Sequence, residues 1–503
     1  MRNLVVEKIF MIKHPRFLTR SGLRPFVIGL FVLVVAGICF SKSTISLSTA
    51  SGPPTITLKV SGNGFAPHSK VDVYFDVCDQ SEAVTDGSGS FSRIAIQAPA
   101  SALPGKHWVS AVERSSGVSS RASFTVQSDW AEFHKQNMMR WNGVETVLKV
   151  RNVGRLEEKW TTYTGGGVYT APAVANGVVY VGSSNSFYAL DSTTGVTLWT
   201  FPVGSLYSSP AVVGGVVYFG ANAPGNAVYA LDASSGTLLW TYAMGDEVES
   251  PPTVVNGVVY IGGPKGNVYA LNAKTGSVQW ISATGADSGP FSSPAVLNGL
   301  VYLGSGNNVY ALNTNTGVLK WKYATGDLVV SSPAVANGVV YIGSYDRSLY
   351  ALNAKTGAKL WSYSTGDIVW SSPAVANGTV YVGSGDSSVY ALNASTGALR
   401  WSYLTPKGGI YSSPAVANGV VYVSIFGGVF GDNNIYALNA TTGAKLWGYS
   451  SGAVFSSSPV VANGMVYVGS DIGDLYALSL KGSPKIASGY CKVPNLGSSA
   501  PKP

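Results

Sequence analysis

The chain has 503 residues, with 60 Gly, 28 Tyr and only 12% charged residues, a balance that suits short strands and tight turns rather than helices. Its formal net charge of +8 is concentrated at the ends: residues 1–24 carry +5 and residues from 481 onward +4, so the body between them is close to neutral. That excludes a nucleic-acid partner, which needs basic charge clustered on one folded face.

The basic start, 1–24, precedes an apolar run at 25–41, "PFVIGLFVLVVAGICF" followed by Ser41. A positive flank before about fifteen apolar residues is an export signal. The run is short for a membrane span, which needs about 20 residues. Two outcomes are open: cleavage near residues 48–50, or retention as an N-terminal membrane anchor. Either places the rest of the chain outside the cytoplasmic membrane, at the cell surface, in the periplasm or secreted. Cys39 lies in the apolar run, and Ile38 before it makes a poor lipoprotein cleavage signal. Cys78 and Cys491 either pair in an oxidising compartment or stand as two thiols.

Residues 52–127 alternate apolar and polar positions between turn clusters, which predicts a small antiparallel β-sandwich. Its "GNGFAP" and "GSFS" pieces resemble the Ig-like modules of bacterial surface proteins, which implies a spacer or adhesive role. A lead-in segment, 128–159, follows. From 160 a repeat takes over. Trp160, Trp199, Trp240, Trp280, Trp321, Trp361, Trp401 and Trp447 recur at a period near 40, as do a Tyr-Ala-Leu and a Pro. Such a period predicts a propeller or solenoid.

Each unit divides into four short strands. In "SSPAVANGTVYVGSGDSSVYALNASTGALRW" (371–401), "PAVA" is the first, and Asn377-Gly378 supplies the positive φ angles of a type I′ hairpin. "TVYVG" and "SVYAL" are the second and third, "NASTG" is a turn, and the Trp strand is the fourth. Four antiparallel strands per period make a propeller blade. Trp160 precedes the first Pro, and the last Tyr-Ala-Leu (476–478) has no Trp after it. The strand around Trp160 is therefore expected to complete the eighth blade, which closes the ring and removes its free edges.

"ALNAKTGAKLW" (351–361), with "ALDSTTGVTLW" (189–199), "ALNASTGALRW" (391–401) and "ALNATTGAKLW" (437–447), closely resembles the tryptophan-docking motif of the pyrroloquinoline-quinone (PQQ)-like eight-bladed propellers. That superfamily includes quinoprotein alcohol dehydrogenases and assembly factors of the BamB type. The resemblance covers about 160–480 and implies an all-β fold: an eight-bladed propeller with docking tryptophans, behind an Ig-like sandwich and an export or anchor segment. It implies that the eight tryptophans are structural. Asp129, Trp130, Asn152, Val153 and Leu156 also match the segment that enters the propeller in dehydrogenase-like members.

In those dehydrogenases PQQ sits over calcium held by Glu, Asn and Asp, beside an Asp base and an Arg or Lys on the quinone carboxylates. In many a disulfide of adjacent cysteines covers the quinone ring. Residues 160–480 contain no Cys, no Cys-x-x-Cys-His and no Glu besides Glu247 and Glu249. The four histidines, His14, His68, His107 and His134, all lie outside the propeller residues, which excludes a histidine base, a Ser-His-Asp triad or a His-containing zinc site in the ring.

Propellers bind at the mouth of the central channel, among the loops entering the innermost strands. Three residues before each Pro stand Tyr169, Tyr207, Glu249, Phe291, Val330, Trp370 and Tyr411; in blade 8 an added Ser leaves Phe455 or Ser456 there. These rings either line a mouth or pack between blades. The loops between second and third strands add Lys265, Asp346, Arg347, Asp386, Asp471 and Asp474, and one expands to "SIFGGVFGDNN" (424–434), a lid, a partner-binding finger or a tolerated insertion. The expected role is a non-catalytic binding or scaffold module for a protein or envelope component, with no cofactor. A PQQ- and calcium-dependent dehydrogenase using Arg347 or Lys265, and a cell-surface glycan binder using the aromatic rim, are the alternatives.

Overall fold

The computed structural model describes residues 42–482 apart from 100–101, 136–137, 287–290, 407, 428–432 and 456. The basic start, the apolar run with Cys39, and the tail from 483 with Cys491 lie outside the described residues, as do residues 428–432 of the insertion in 424–434. Cys78 is disulfide-bonded.

Two sheets form the first part. Thr44–Leu47, Thr57–Asn63 and Phe91–Gln97 make one; Ser51–Gly52, Ser119–Val126, Gly105–Glu113, Lys70–Phe75 and Cys78–Val84 make the other. Leu58, Val60 and Ile96 from the first sheet and Val71, Val73, Phe75 and Phe124 from the second share one buried core. The first strand lies ahead of residue 52, because the alternation in Thr-Ile-Ser-Leu already puts Ile45 and Leu47 against that core.

The repeat region forms eight blades, numbered here by innermost strands starting at Ala173, Ala211, Thr253, Ala295, Ala334, Ala374, Ala415 and Val460. Blade 6 is typical: Ala374–Ala376, Thr379–Gly383, Ser388–Asn393 and Leu399–Leu404 pair in order. Asn377 (φ 48°) and Gly378 (φ 70°) make the expected hairpin turn. Asn393 Oδ1 accepts the backbone N–H groups of Ser395 and Thr396, which fixes the next turn. Gly397 then has positive φ and lies under the Trp361 ring of blade 5; a Cβ there would come within 2.7 Å of the indole. The recurring Thr-Gly thus makes room for the neighbour's tryptophan.

The Trp361 indole N–H donates to the Ala394 carbonyl of blade 6 at 3.1 Å, and Tyr341 Oη donates to the same carbonyl at 2.9 Å. Trp401 and Tyr381 repeat this on Ala440, as Trp321 and Tyr302 do on Ala354. One turn carbonyl therefore ties two side chains of the preceding blade to the next. Leu156–Tyr163 pairs antiparallel with Asp474–Leu480 and becomes the outer strand of blade 8, so the ends of the ring meet in one sheet. At this seam the turn carbonyl is missing. Trp447 donates instead to Leu156 O at 3.0 Å, and the buried Tyr422 hydroxyl finds no partner.

The serines before each Pro join blades on the inside. Ser208 Oγ accepts Gly220 N of its own blade and donates to Ser250 O of the next. The second serine of a pair accepts the backbone N–H of its counterpart in the preceding blade, as in Ser332 N to Ser372 Oγ and Ser372 N to Ser413 Oγ. Blade 3 carries Pro251 at that place, which has no N–H to offer. Ser293 Oγ of blade 4 is accordingly buried without a partner.

Candidate functional site

The two ends of the channel differ. The lead-in segment enters from the end bearing the Asn-Gly hairpins. There Asp129 accepts Asn176 N and Asn463 Nδ2, and Ser128 N donates to Asn463 Oδ1. The chain then visits the innermost strands in ring order. Trp130 exchanges backbone hydrogen bonds with Val174, and Ala131 O accepts Val212 N. Glu132 Oε2 accepts Val254 N, and His134 Nε2 donates to Ser293 O. Met138 O, Met139 O and Arg140 O accept Val335 N, Val375 N and Val416 N. Trp141–Asn142 pairs parallel with Ala415–Ala417, and Asn142 Nδ2 donates to Val461 O. All eight blades are bonded, so this segment lies across the channel and closes it from the hairpin end.

The closure is held by buried polar groups. Arg140 is fully buried and donates to the carbonyls of Phe133, Ser413, Pro414 and Pro459, with its guanidinium 4.5 Å from the Phe133 ring centre. Burial pushes Glu132 up to about 7 and His134 down to about 3, so the imidazole is neutral. His134 thus sits inside the ring, although its place in the sequence put it outside; it is buried against Ser293 and is no solvent-facing base. The lead-in also meets the sandwich, where Thr146 Oγ1 donates to Ala102 O at 3.2 Å.

At the other end, where the loops before each Pro gather, described aromatic rings are half exposed. Trp370 is 47% exposed, Tyr207 45%, Phe291 45% and Tyr169 38%. Tyr169 stacks on Tyr207 with ring centres 5.3 Å apart. Across the mouth Trp370 lies 5.8 Å from Tyr345 and 6.0 Å from Tyr411, and Tyr411 lies 6.0 Å from Phe426. Tyr345 comes from the loop between the second and third strands of blade 5. Phe426 opens the insertion in blade 7, where its N–H donates to Gly409 O. Neither was visible from the period, because both lie in loops that vary from blade to blade.

Phe455 is the exception among the expected rim residues. It is 1% exposed and packs against Tyr449 and Tyr476, in the place that Val369 and Ile410 take in blades 6 and 7. The extra serine in blade 8 moves the rim position to Ser456, outside the described residues. Asp386 is committed to its own loops: it accepts Gly366 N at 2.6 Å, Ser388 N at 2.9 Å and the Tyr390 hydroxyl at 2.7 Å. Asp346 does the same with Gly326 N, Ser348 N and Tyr350. Glu249 accepts Asn222 Nδ2, and burial raises its carboxyl above the usual range. Lys265 and Arg347 stand exposed on left-handed backbone in blades 3 and 5.

This donor set does not fit a quinone held over calcium. A hard cation needs several convergent carboxylate oxygens, and Asp346 and Asp386 already satisfy backbone N–H groups and tyrosines. The docking set, Trp160, Trp199, Trp240, Trp280, Trp321, Trp361, Trp401 and Trp447, donates its eight indole N–H groups to carbonyls of adjoining blades, away from the mouth.

A family model described as "Outer membrane protein assembly factor BamB" matches residues 155–223, 188–327, 282–371 and 364–488. Among solved structures, BamB from Moraxella catarrhalis superposes with a TM-score of 0.56 at 18% identity, covering 64% of this chain and 99% of that one. Quinohemoprotein alcohol dehydrogenase from Comamonas testosteroni gives 0.60 at 17% identity, covering 75% and 83%. The computationally designed protein Ika8 gives 0.55 at 17%, covering 63% and 98%. No curated protein sequence matches the chain. At these identities the structural likenesses speak for the fold alone.

Proposed function

We propose a binding role for this chain, which belongs to the family of the outer membrane protein assembly factor BamB: a non-catalytic propeller outside the cytoplasmic membrane that presents its loop face to a protein or other envelope component. One observation carries the reading. The innermost strands of all eight blades are bonded to the chain's own lead-in from the hairpin end, while the loop end displays half-exposed aromatic rings. Large exposed rings gathered on one surface mark interaction sites. The family supports an envelope setting, and the basic-then-apolar start of the sequence supports export.

The test sets this role against the dehydrogenase reading. The full chain is incubated with PQQ and calcium, desalted, and examined for quinone absorbance and for dye reduction with alcohols. The expected result is no retained quinone and no turnover. Stoichiometric uptake with turnover would replace the binding role by an enzymatic one.

A further inference from the structure

The geometry points to a cationic segment of a partner protein, with lysines or arginines set among apolar residues, as the occupant of the arc formed by Tyr345, Trp370, Tyr411 and Phe426. This deepens the binding role proposed above and rests on it. Those four rings form one continuous patch across blades 5, 6 and 7, with successive centres 5.8, 6.0 and 6.0 Å apart. They are tilted on one another by 46°, 64° and 63°, so they present edges, faces and notches rather than one flat platform. Notches between tilted rings suit the branched and flexible side chains of a peptide better than the flat face of a pyranose.

Charge selects the partner. The loops of this end carry Asp246, Glu247, Glu249, Asp327, Asp346, Asp367, Asp386, Asp471 and Asp474, against Lys265 and Arg347 among the described residues. The outer strands and opposite turns carry Lys159, Lys274, Lys320, Lys322, Lys355, Lys359, Arg400 and Lys445 against Glu157, Glu158, Asp191 and Asp232. Asp327 and Asp367 are exposed in the loops leading to blades 5 and 6, beside the arc; burial first, then Tyr411 and Asp327, hold the Tyr345 phenol above the usual range. Exposed ring faces attract cations through their quadrupole, and carboxylates at the edge of the same patch add to that attraction. An acidic partner would meet repulsion there.

The experiment titrates the full chain by calorimetry with two synthetic octapeptides, (Lys-Leu)4 and (Glu-Leu)4, and with chitotetraose, at low and high salt. Saturable binding of (Lys-Leu)4 alone is expected, weakened about tenfold by Trp370→Ala, and weakened further by raising the salt. Asp327→Asn with Asp367→Asn should lower affinity and flatten the salt dependence, with an unchanged melting temperature showing that the fold is intact. Equal binding of (Glu-Leu)4, or full (Lys-Leu)4 binding by Trp370→Ala, overturns the inference. Binding of chitotetraose that Trp370→Ala abolishes also overturns it while leaving the loop face as a binding surface. Uptake of PQQ, by contrast, overturns the role beneath it.

Discussion

At the scale of single residues, the repeat identifies its own defects. In blades 5 and 6 a second-strand tyrosine and an outer-strand tryptophan share the turn carbonyl of the next blade. Blade 8 takes its outer strand from Leu156–Tyr163, so no turn leads into it and Tyr422 loses its acceptor. A buried hydroxyl without a partner costs about 1–3 kcal/mol, whereas a made hydrogen bond contributes about 1 kcal/mol. Tyr422→Phe is therefore expected to leave stability unchanged or raise it, and Tyr381→Phe to lower it by about 1 kcal/mol. Urea midpoints of the two variants check this; equal losses would show that the seam is no different from the other blade junctions. Pro251 leaves Ser293 without a donor by the same logic, the one missing N–H in a ring that holds serine at six places, Ala171 in blade 1 and Pro251 in blade 3. Both defects become readable once the repeats are aligned, because what is missing is a periodic group.

At the scale of elements, the lead-in behaves differently. "DWAEFHKQNMMRWN" (129–142) has no period, and Glu and Arg are residue types that are mostly exposed in folded proteins. Glu132, His134 and Arg140 are all buried, since the acceptors and donors that hold them are backbone groups of blades 3, 4, 7 and 8 and of the segment itself. Backbone groups leave no trace in the sequence, which is why the blades were legible and their internal closure was not. The burial has a consequence for pH. His134 titrates near 3 in the fold against 6.5 free, so as pH falls below 6.5 the unfolded chain takes up a proton that the fold refuses, and stability drops. Glu132 titrates near 7 in the fold against 4.5 free, so between 7 and 4.5 the fold holds a proton the unfolded chain has released, and stability rises as pH falls. The two contributions oppose each other between 6.5 and 4.5, each about 1.4 kcal/mol per pH unit. His134→Gln should therefore gain stability on acidification across that window, and Glu132→Gln should lose it. Melting temperatures measured at pH 7 and pH 5 decide the matter; parallel curves for the two variants would mean that neither group is held as described.

At the scale of the whole molecule, the question is what makes eight nearly identical blades one cooperative body. Repeat arrays are coupled mainly through nearest neighbours, so long ones unfold in parts. The tryptophan and serine contacts are of that kind: each joins a blade to the next. Two features are not. The pairing of Leu156–Tyr163 with Asp474–Leu480 joins the two ends of the ring, and was legible from the order of Trp, Pro and Tyr-Ala-Leu along the chain. The lead-in joins every blade to a single short segment, with Arg140 alone holding carbonyls of the segment itself and of blades 7 and 8. Blades bonded to one segment cannot leave the ring singly without exposing Trp130, Arg140 and Asn142, all fully buried. A full-length chain whose residues 129–142 are replaced by a Gly/Ser segment of equal length should keep its strand content, because the blade-to-blade contacts remain. Its urea transition should begin earlier and broaden, with a lower m-value, because less surface is released in any one step. A transition displaced to lower urea at unchanged m would show that closure of the ring by its end strands is sufficient for cooperativity, and that the lead-in adds stability without unity.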